Sequence, residues 1–138
     1  MRLVTARRSR ERATVLTSGV DLIEIARVER VLERHGERFV RRVFTPAEIA
    51  YSRRRPAELA ARFAAKEAVS KALGVGMRLM AREGIRWQEA EIVGDHRGKP
   101  LIRLHGRAAE RAEKLGLSEW SVSLSHTAEH AIAFVVAQ

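Results

Sequence analysis

Two carboxylates in separate segments could do the chemistry most clearly written in this sequence. Asp21 lies in Gly19-Val-Asp-Leu-Ile-Glu-Ile-Ala-Arg27, and Glu67 lies in Phe63-Ala-Ala-Lys-Glu-Ala-Val-Ser-Lys-Ala-Leu-Gly74. Magnesium takes oxygen ligands, commonly one or two carboxylates, and leaves its remaining positions to water and substrate phosphate. Asp21 and Glu67 would supply such a pair. Lys71, one helical turn beyond Glu67, would then neutralise phosphate oxygens as a point charge. The plainer alternative is an intrahelical Glu67 to Lys71 ion pair on a solvated surface.

A strand and a helix must bring these groups together. Residues 14–20 read as a strand, and Asp21 stands where the apolar run 13–20 gives way to a helical pattern. That pattern covers residues 23 to about 42, with Ile25, Val28 and Leu32 at helical spacing and Gly36 as a break. Thr45-Pro-Ala-Glu48 has the form of a capped start for a short helix reaching about residue 54.

Pro56 opens a longer helix, 57–73, which stops at Gly74. On it Phe63, Glu67 and Lys71 share a face, while Ala60, Ala64, Ala65, Ala68 and Ala72 keep the neighbouring faces narrow. Small residues let a helix approach a sheet closely, so a glutamate there loses water. That is costly without a cation or hydrogen bonds.

Beyond Gly74 the period changes. Residues 85–93, 100–104, 121–125 and 130–136 read as strands, 95–98 as a hairpin turn and 106–115 as a helix. The fold class is α+β, with helices gathered in the first half and strands in the second. Glu89 and Glu91 alternate with apolar neighbours and are expected on a solvent face. Gly74-Val-Gly76 follows a helix, which fits a helix stop better than a phosphate loop. Ser123-Leu-Ser-His126-Thr127 reads either as a strand ending in a polar turn or as hydrogen-bond donors to a phosphorylated ligand. Adjacency alone does not make a hydrolytic triad.

A chain of 138 residues suits one domain with a real core. It has no cysteine, which excludes disulfides, thiolate zinc sites and a cysteine nucleophile, and a cytoplasmic setting is expected. No stretch approaches the roughly 20 apolar residues that span a membrane. Residues 1–12 carry Arg2, Arg7, Arg8, Arg10 and Arg12 without a signal-peptide apolar core. A disordered basic leader before a single domain, 13–138, is the expectation.

Lysine and arginine outnumber aspartate and glutamate 26 to 17, a formal charge of +9 that favours acidic or polyanionic partners. Arg27, Arg30, Arg34, Arg38 and Arg41 would line one stripe, complementary to an acidic helix, if the helix continues through Gly36. Glu24, Glu29, Glu33 and Glu37 lie near enough to neutralise much of it, so a salt-bridged solvent face is an equal alternative. A basic nucleic-acid-binding domain would need stacking aromatics or a groove-reading helix. The two tryptophans, one tyrosine and four phenylalanines are dispersed, and nucleic acid is not expected as a partner.

The two acidic motifs closely resemble the signatures of the holo-acyl-carrier-protein synthases, the small bacterial-type 4'-phosphopantetheinyl transferases. The similarity extends to Trp87-Gln-Glu-Ala-Glu91, Gly98-Lys-Pro100 and Ser123-Leu-Ser-His126, and so covers nearly everything from about Val15 onward. The resemblance implies a 4'-phosphopantetheinyl transferase fold, with helices packed on a small, mainly antiparallel sheet. It also implies a homotrimer whose active sites are shared between adjacent subunits.

The implied reaction moves the phosphopantetheine arm of coenzyme A to a serine of apo acyl carrier protein, a step serving fatty acid biosynthesis, and releases adenosine 3',5'-bisphosphate with Mg2+ as cofactor. By the same resemblance Asp21 and Glu67 are the metal ligands and Lys71 contacts the diphosphate. His126 and the Gly98 to Pro100 turn belong to coenzyme A recognition. Arg27 docks the carrier, with Arg34 and Arg38 extending that contact. The base is expected to be either Glu67 or a metal-bound water polarised by Asp21, and the water is favoured because a coordinated carboxylate is poorly basic. A relative that binds coenzyme A without transferring anything is the alternative function. The leader and residues 77–83 depart from the family pattern.

Overall fold

The computed structural model describes residues 15–78 and 82–138. The leader 1–12 and the start of the expected strand 14–20 fall outside them. β1 runs Thr17–Glu24. Its residues alternate as a strand requires: Gly19 and Ile23 are buried, with Asp21 half-buried on that same face, while Val20 and Leu22 point outward. Asp21 therefore sits inside the strand, opposite Ala133, and not at a strand-to-helix junction. Pairing with the last strand continues from Thr17 through Glu24 and overrides the local helical period.

α1 (Ile25–Val43) starts with the Ile25 N–H bonded to the Glu129 carbonyl at 2.8 Å. At Gly36 the backbone takes φ 47 and ψ −123, which divides α1 into two helical segments. A residue with a side chain pays about 1–3 kcal/mol to hold such a conformation. A Cβ at Gly36 would meet nothing within 4 Å, so the cost of Gly36→Ala is one of backbone alone. A thermal melt should show a Tm several degrees lower, and an unchanged Tm would mean that the two segments reorient freely.

α2 (Pro46–Ser52) has the expected capping box: Glu48 N–H donates to Thr45 Oγ1, and Thr45 N–H donates to Glu48 Oε1 at 2.9 Å. α3 (Pro56–Ala72) follows, then an isolated bridge between Met77 and Ile85 and a short turn at Trp87–Glu89. The chain completes with β2 (Ala90–Gly94), β3 (Pro100–Leu104), α4 (Gly106–Leu115), β4 (Trp120–His126) and β5 (His130–Ala137). The strands form a three-stranded sheet in the order β1-β5-β4 and a separate pair β2-β3, all antiparallel.

The expected strand 85–93 is thus part turn, because the Glu89 carboxylate accepts from the Arg86 N–H at 2.7 Å and the Arg107 N–H at 3.1 Å. Glu91 is buried beside His105 Nε2 at 3.1 Å. Neither glutamate lies on an open strand face.

α3 is the centre of the molecule. Leu59, Ala60, Ala64, Ala65, Ala68 and Val69 are wholly buried, facing sheet residues such as Ala131, Ala133 and Val135. Its small side chains let β1 come so near that a Cβ on Gly19 would stand 1.9 Å from the Ala68 carbonyl oxygen. Thr17 Oγ1 completes the contact by donating to the Ala72 carbonyl at 2.8 Å. Away from the sheet, Phe44 is fully buried edge-on to Phe39, and Phe63 stacks on Trp87 at 4.6 Å between ring centroids. Full burial of one such side chain is worth about 1.5–3 kcal/mol. Among the described residues no helix is long and apolar enough to cross a membrane.

Candidate functional site

The close contact of Gly19 with Ala68 and Ala72 brings the next inward residue of β1, Asp21, beside the open face of α3. That face carries Phe63, Glu67 and Lys71, the least buried residues of α3 beyond its first turn, as the helical spacing predicts. Lys71 Nζ donates to Asp21 Oδ1 at 3.2 Å and to the Val20 carbonyl at 2.9 Å. Lys71 therefore crosses to the strand, and among the described residues it makes no ion pair with Glu67 along its own helix.

Burial is the chief reason that the Glu67 pKa lies above the usual carboxylate range. The negative charge of Asp21 adds to it, and Lys71 and Arg27 partly offset it. A half-desolvated carboxylate facing another is a place where a cation is welcome. The donors are oxygens only, which suits magnesium better than zinc or copper. Among the described residues no group of three or more acidic or histidine side chains gathers as a metal cage. The pair would leave most of an octahedron to water and to substrate oxygen.

Arg27, Arg34 and Arg38 are exposed on α1 and make no salt bridge among the described residues. Of the glutamates expected to neutralise the stripe, Glu37 alone is paired among the described residues, with Arg41 at 3.1 Å and with Arg54. The single stripe is not realised, because the break at Gly36 separates Arg27 and Arg34 from Arg38. Arg27 also lies close enough to Glu67 to hold its carboxyl down, which the sequence did not indicate.

A second feature is an open cleft of about 360 Å³ lined by Tyr51, Arg62, Gly98, Lys99, Pro100 and His126 among others. It unites the β2-β3 turn with the end of β4, so Gly98, Pro100 and His126 do come together. Lys71 stays with the acidic pair and does not line this cleft. The turn is held by Asp95, whose carboxylate accepts from the Arg97 N–H at 2.8 Å and the Lys99 N–H at 2.9 Å.

Arg62 and Tyr51 were not picked out by sequence reasoning. The Arg62 side chain is 4% exposed, bonds Glu58 Oε2 at 2.8 Å and lies 4.5 Å over the Tyr51 ring. Its Nε is buried without a partner among the described residues. A buried donor left unpaired is costly, so an acceptor entering the cleft would be favoured. A lone arginine in the apolar run 59–65 was the available signal.

Residues 18–135 match the model of the 4'-phosphopantetheinyl transferase superfamily. The chain is 52% identical over 124 residues to a holo-acyl-carrier-protein synthase of Herpetosiphon aurantiacus, covering 88% of this chain and 98% of that one. It is 52% identical over 126 residues to the synthase of Moorella thermoacetica, covering 89% and 92%. The Helicobacter pylori holo-acyl-carrier-protein synthase, solved in complex with coenzyme A, superposes with a TM-score of 0.78 at 34% identity, covering 88% of this chain and 99% of that one.

Proposed function

The chain belongs to the 4'-phosphopantetheinyl transferase superfamily, among the holo-acyl-carrier-protein synthases, and on that premise we propose a Mg2+-dependent transfer of the phosphopantetheine arm of coenzyme A to a serine of apo acyl carrier protein. The observation that carries this reading is the pair Asp21 and Glu67 on facing elements, with Lys71 reaching across to Asp21.

In the reaction the serine oxygen bonds to the phosphorus on the pantetheine side of the diphosphate. The bond from that phosphorus to the bridging oxygen breaks, and adenosine 3',5'-bisphosphate leaves with the electron pair. A divalent ion held by Asp21 and Glu67 would neutralise diphosphate charge. Two of the three Lys71 N–H donors are spent on Asp21 and Val20, and the third is available for a phosphate oxygen. The serine proton passes to a water oriented by Asp21, the favoured acceptor, or to Glu67 when that carboxylate is free.

Arg62, Lys99 and His126 make the second cleft suitable for the phosphorylated nucleotide end of coenzyme A, with Gly98 and Pro100 shaping its wall. The acidic pair and this cleft have no lining residue in common within one chain. A homotrimer with sites shared between neighbours would complete them. Its support here is the outer face of the large sheet, where Val20, Leu22, Ile132 and Phe134 stand exposed on β1 and β5. A light-scattering mass of three chains would agree, and a monomer at assay concentration would remove the shared site. A cytoplasmic location goes with these substrates.

The test is the intact mass of apo acyl carrier protein incubated with the chain, coenzyme A and magnesium, with a chelator control. A metal-dependent gain of one phosphopantetheine is expected. Binding of coenzyme A with no gain on any carrier would favour a binding protein without transferase activity. Arg34→Ala with Arg38→Ala should raise the carrier KM about tenfold, roughly 1.4 kcal/mol, and leave the KM for coenzyme A unchanged. Added salt should copy that loss in the parent and do less in the variant.

A further inference from the structure

Lys66 and Glu48 form an ion pair in which both side chains are wholly buried. Lys66 Nζ donates to Glu48 Oε1 at 2.7 Å, to the Ala90 carbonyl at 2.8 Å and to the Trp87 carbonyl at 3.1 Å. All three ammonium donors are thereby used. The other Glu48 oxygen accepts the Ile92 N–H at 3.0 Å, and Glu48 Oε1 also takes the Thr45 N–H. One point inside the molecule thus ties α3 to the start of α2 and to both ends of the segment entering β2.

Residues two apart on a helix point about 200° from each other. Lys66 and Ala68 therefore face nearly opposite sides of α3. On the Ala68 side the helix backbone is pressed against Gly19 of β1. On the Lys66 side it is held by the buried pair. Glu67 lies between the two, and its direction is set by the rotation of the helix as a whole. A charged pair so fully desolvated is seldom a gain in stability over an apolar replacement.

We propose that Lys66, anchored by Glu48, is a positioning residue that fixes the rotation of α3 and so aims Glu67 at Asp21. This rests on the reading of Asp21 and Glu67 as the reacting centre. It assigns a purpose to a buried charge pair that touches neither the acidic pair nor the nucleotide cleft.

Two variants test it. Glu48→Asp keeps the charge and the pairing but withdraws the carboxylate by one methylene. Glu48→Gln/Lys66→Met removes both charges together, so that neither is stranded in the core. In each, folding is checked by circular dichroism, kcat and the KM for coenzyme A by transfer, and Mn2+ affinity by electron paramagnetic resonance with coenzyme A present and no carrier. The expected result is a kcat lowered about 10-fold in Glu48→Asp and about 100-fold in the double variant, with Mn2+ affinity falling by similar factors. The KM for coenzyme A should stay within about twofold, since the nucleotide cleft is not touched.

A pair that only stabilised the fold would shift Tm and leave the Mn2+ affinity of the folded protein alone. Either variant, folded and with kcat and Mn2+ affinity within about twofold of the parent, would overturn the proposal. Glu67→Ala run in parallel separates the two ideas: full activity there sinks the reacting-centre reading. Its loss beside a normal Glu48→Asp sinks only the positioning.

Discussion

Glu67→Gln is expected to lower kcat by about 10²–10³-fold, roughly 3–4 kcal/mol of transition-state stabilisation, while making the metal-free protein more resistant to heat at pH 7. The first effect follows from exchanging one of two carboxylate ligands for a neutral amide, which removes half the charge that draws a cation to the site. The second follows from the raised pKa of Glu67, whose main cause is burial and whose second is Asp21. A carboxyl with a folded pKa above its unfolded value favours the fold when protonated. Its contribution is fully present below the unfolded pKa, about 4.3, and is lost as pH rises through the folded value.

At neutral pH the ionised Glu67 therefore works against folding until a cation arrives, and glutamine removes that opposition. Melting curves without metal should show the variant above the parent at pH 7, and the gap should close towards pH 4. Added magnesium should raise the Tm of the parent and leave the variant nearly unmoved. A variant that kept full transfer, or that melted below the parent at pH 7, would contradict the assignment of Glu67.

Gly19→Ala should be severely damaging for a single added methyl group. The added Cβ would lie 1.9 Å from the Ala68 oxygen, 2.9 Å from its carbonyl carbon and 3.0 Å from the Ala72 nitrogen, all of them helix backbone. No rotamer change relieves that, so β1 and α3 must move apart by more than 1 Å. The overpacking costs about 3 kcal/mol or more, and a shift of that size at a reacting centre lowers the rate about 100-fold even in molecules that fold. A Tm and a transfer rate both near those of the parent would show that the strand and helix separate freely at this point.

Much of this arrangement can be read from the residues themselves. Pro56 and Gly74 bracket α3, and residues 100–104 and 106–115 became β3 and α4 with the expected bounds. These elements carry their own start and stop chemistry. Asp21 was harder to place, because the continuation of β1 through Glu24 is decided by β5 at the far end of the chain. The break at Gly36 was visible as a break, but a glycine says nothing of the direction taken afterwards, so the arginines on either side could not be assigned to one line. Lys66, Glu48 and Arg62 look like ordinary surface charges in sequence. Only tertiary packing buries them, and Glu48 shows why they escape notice: its capping role is local and legible, while its bonds to Lys66 and Ile92 are not.

β1 shows its two faces to two different environments one residue apart. Asp21 turns inward to the lysine and glutamate of α3, and Val20 and Leu22 turn outward beside Phe134 and Ile132. On the trimer reading the outer pair faces a neighbouring chain, so the strand that carries the aspartate is also the one a neighbour grips, and dilution into single chains would be felt at the reacting centre.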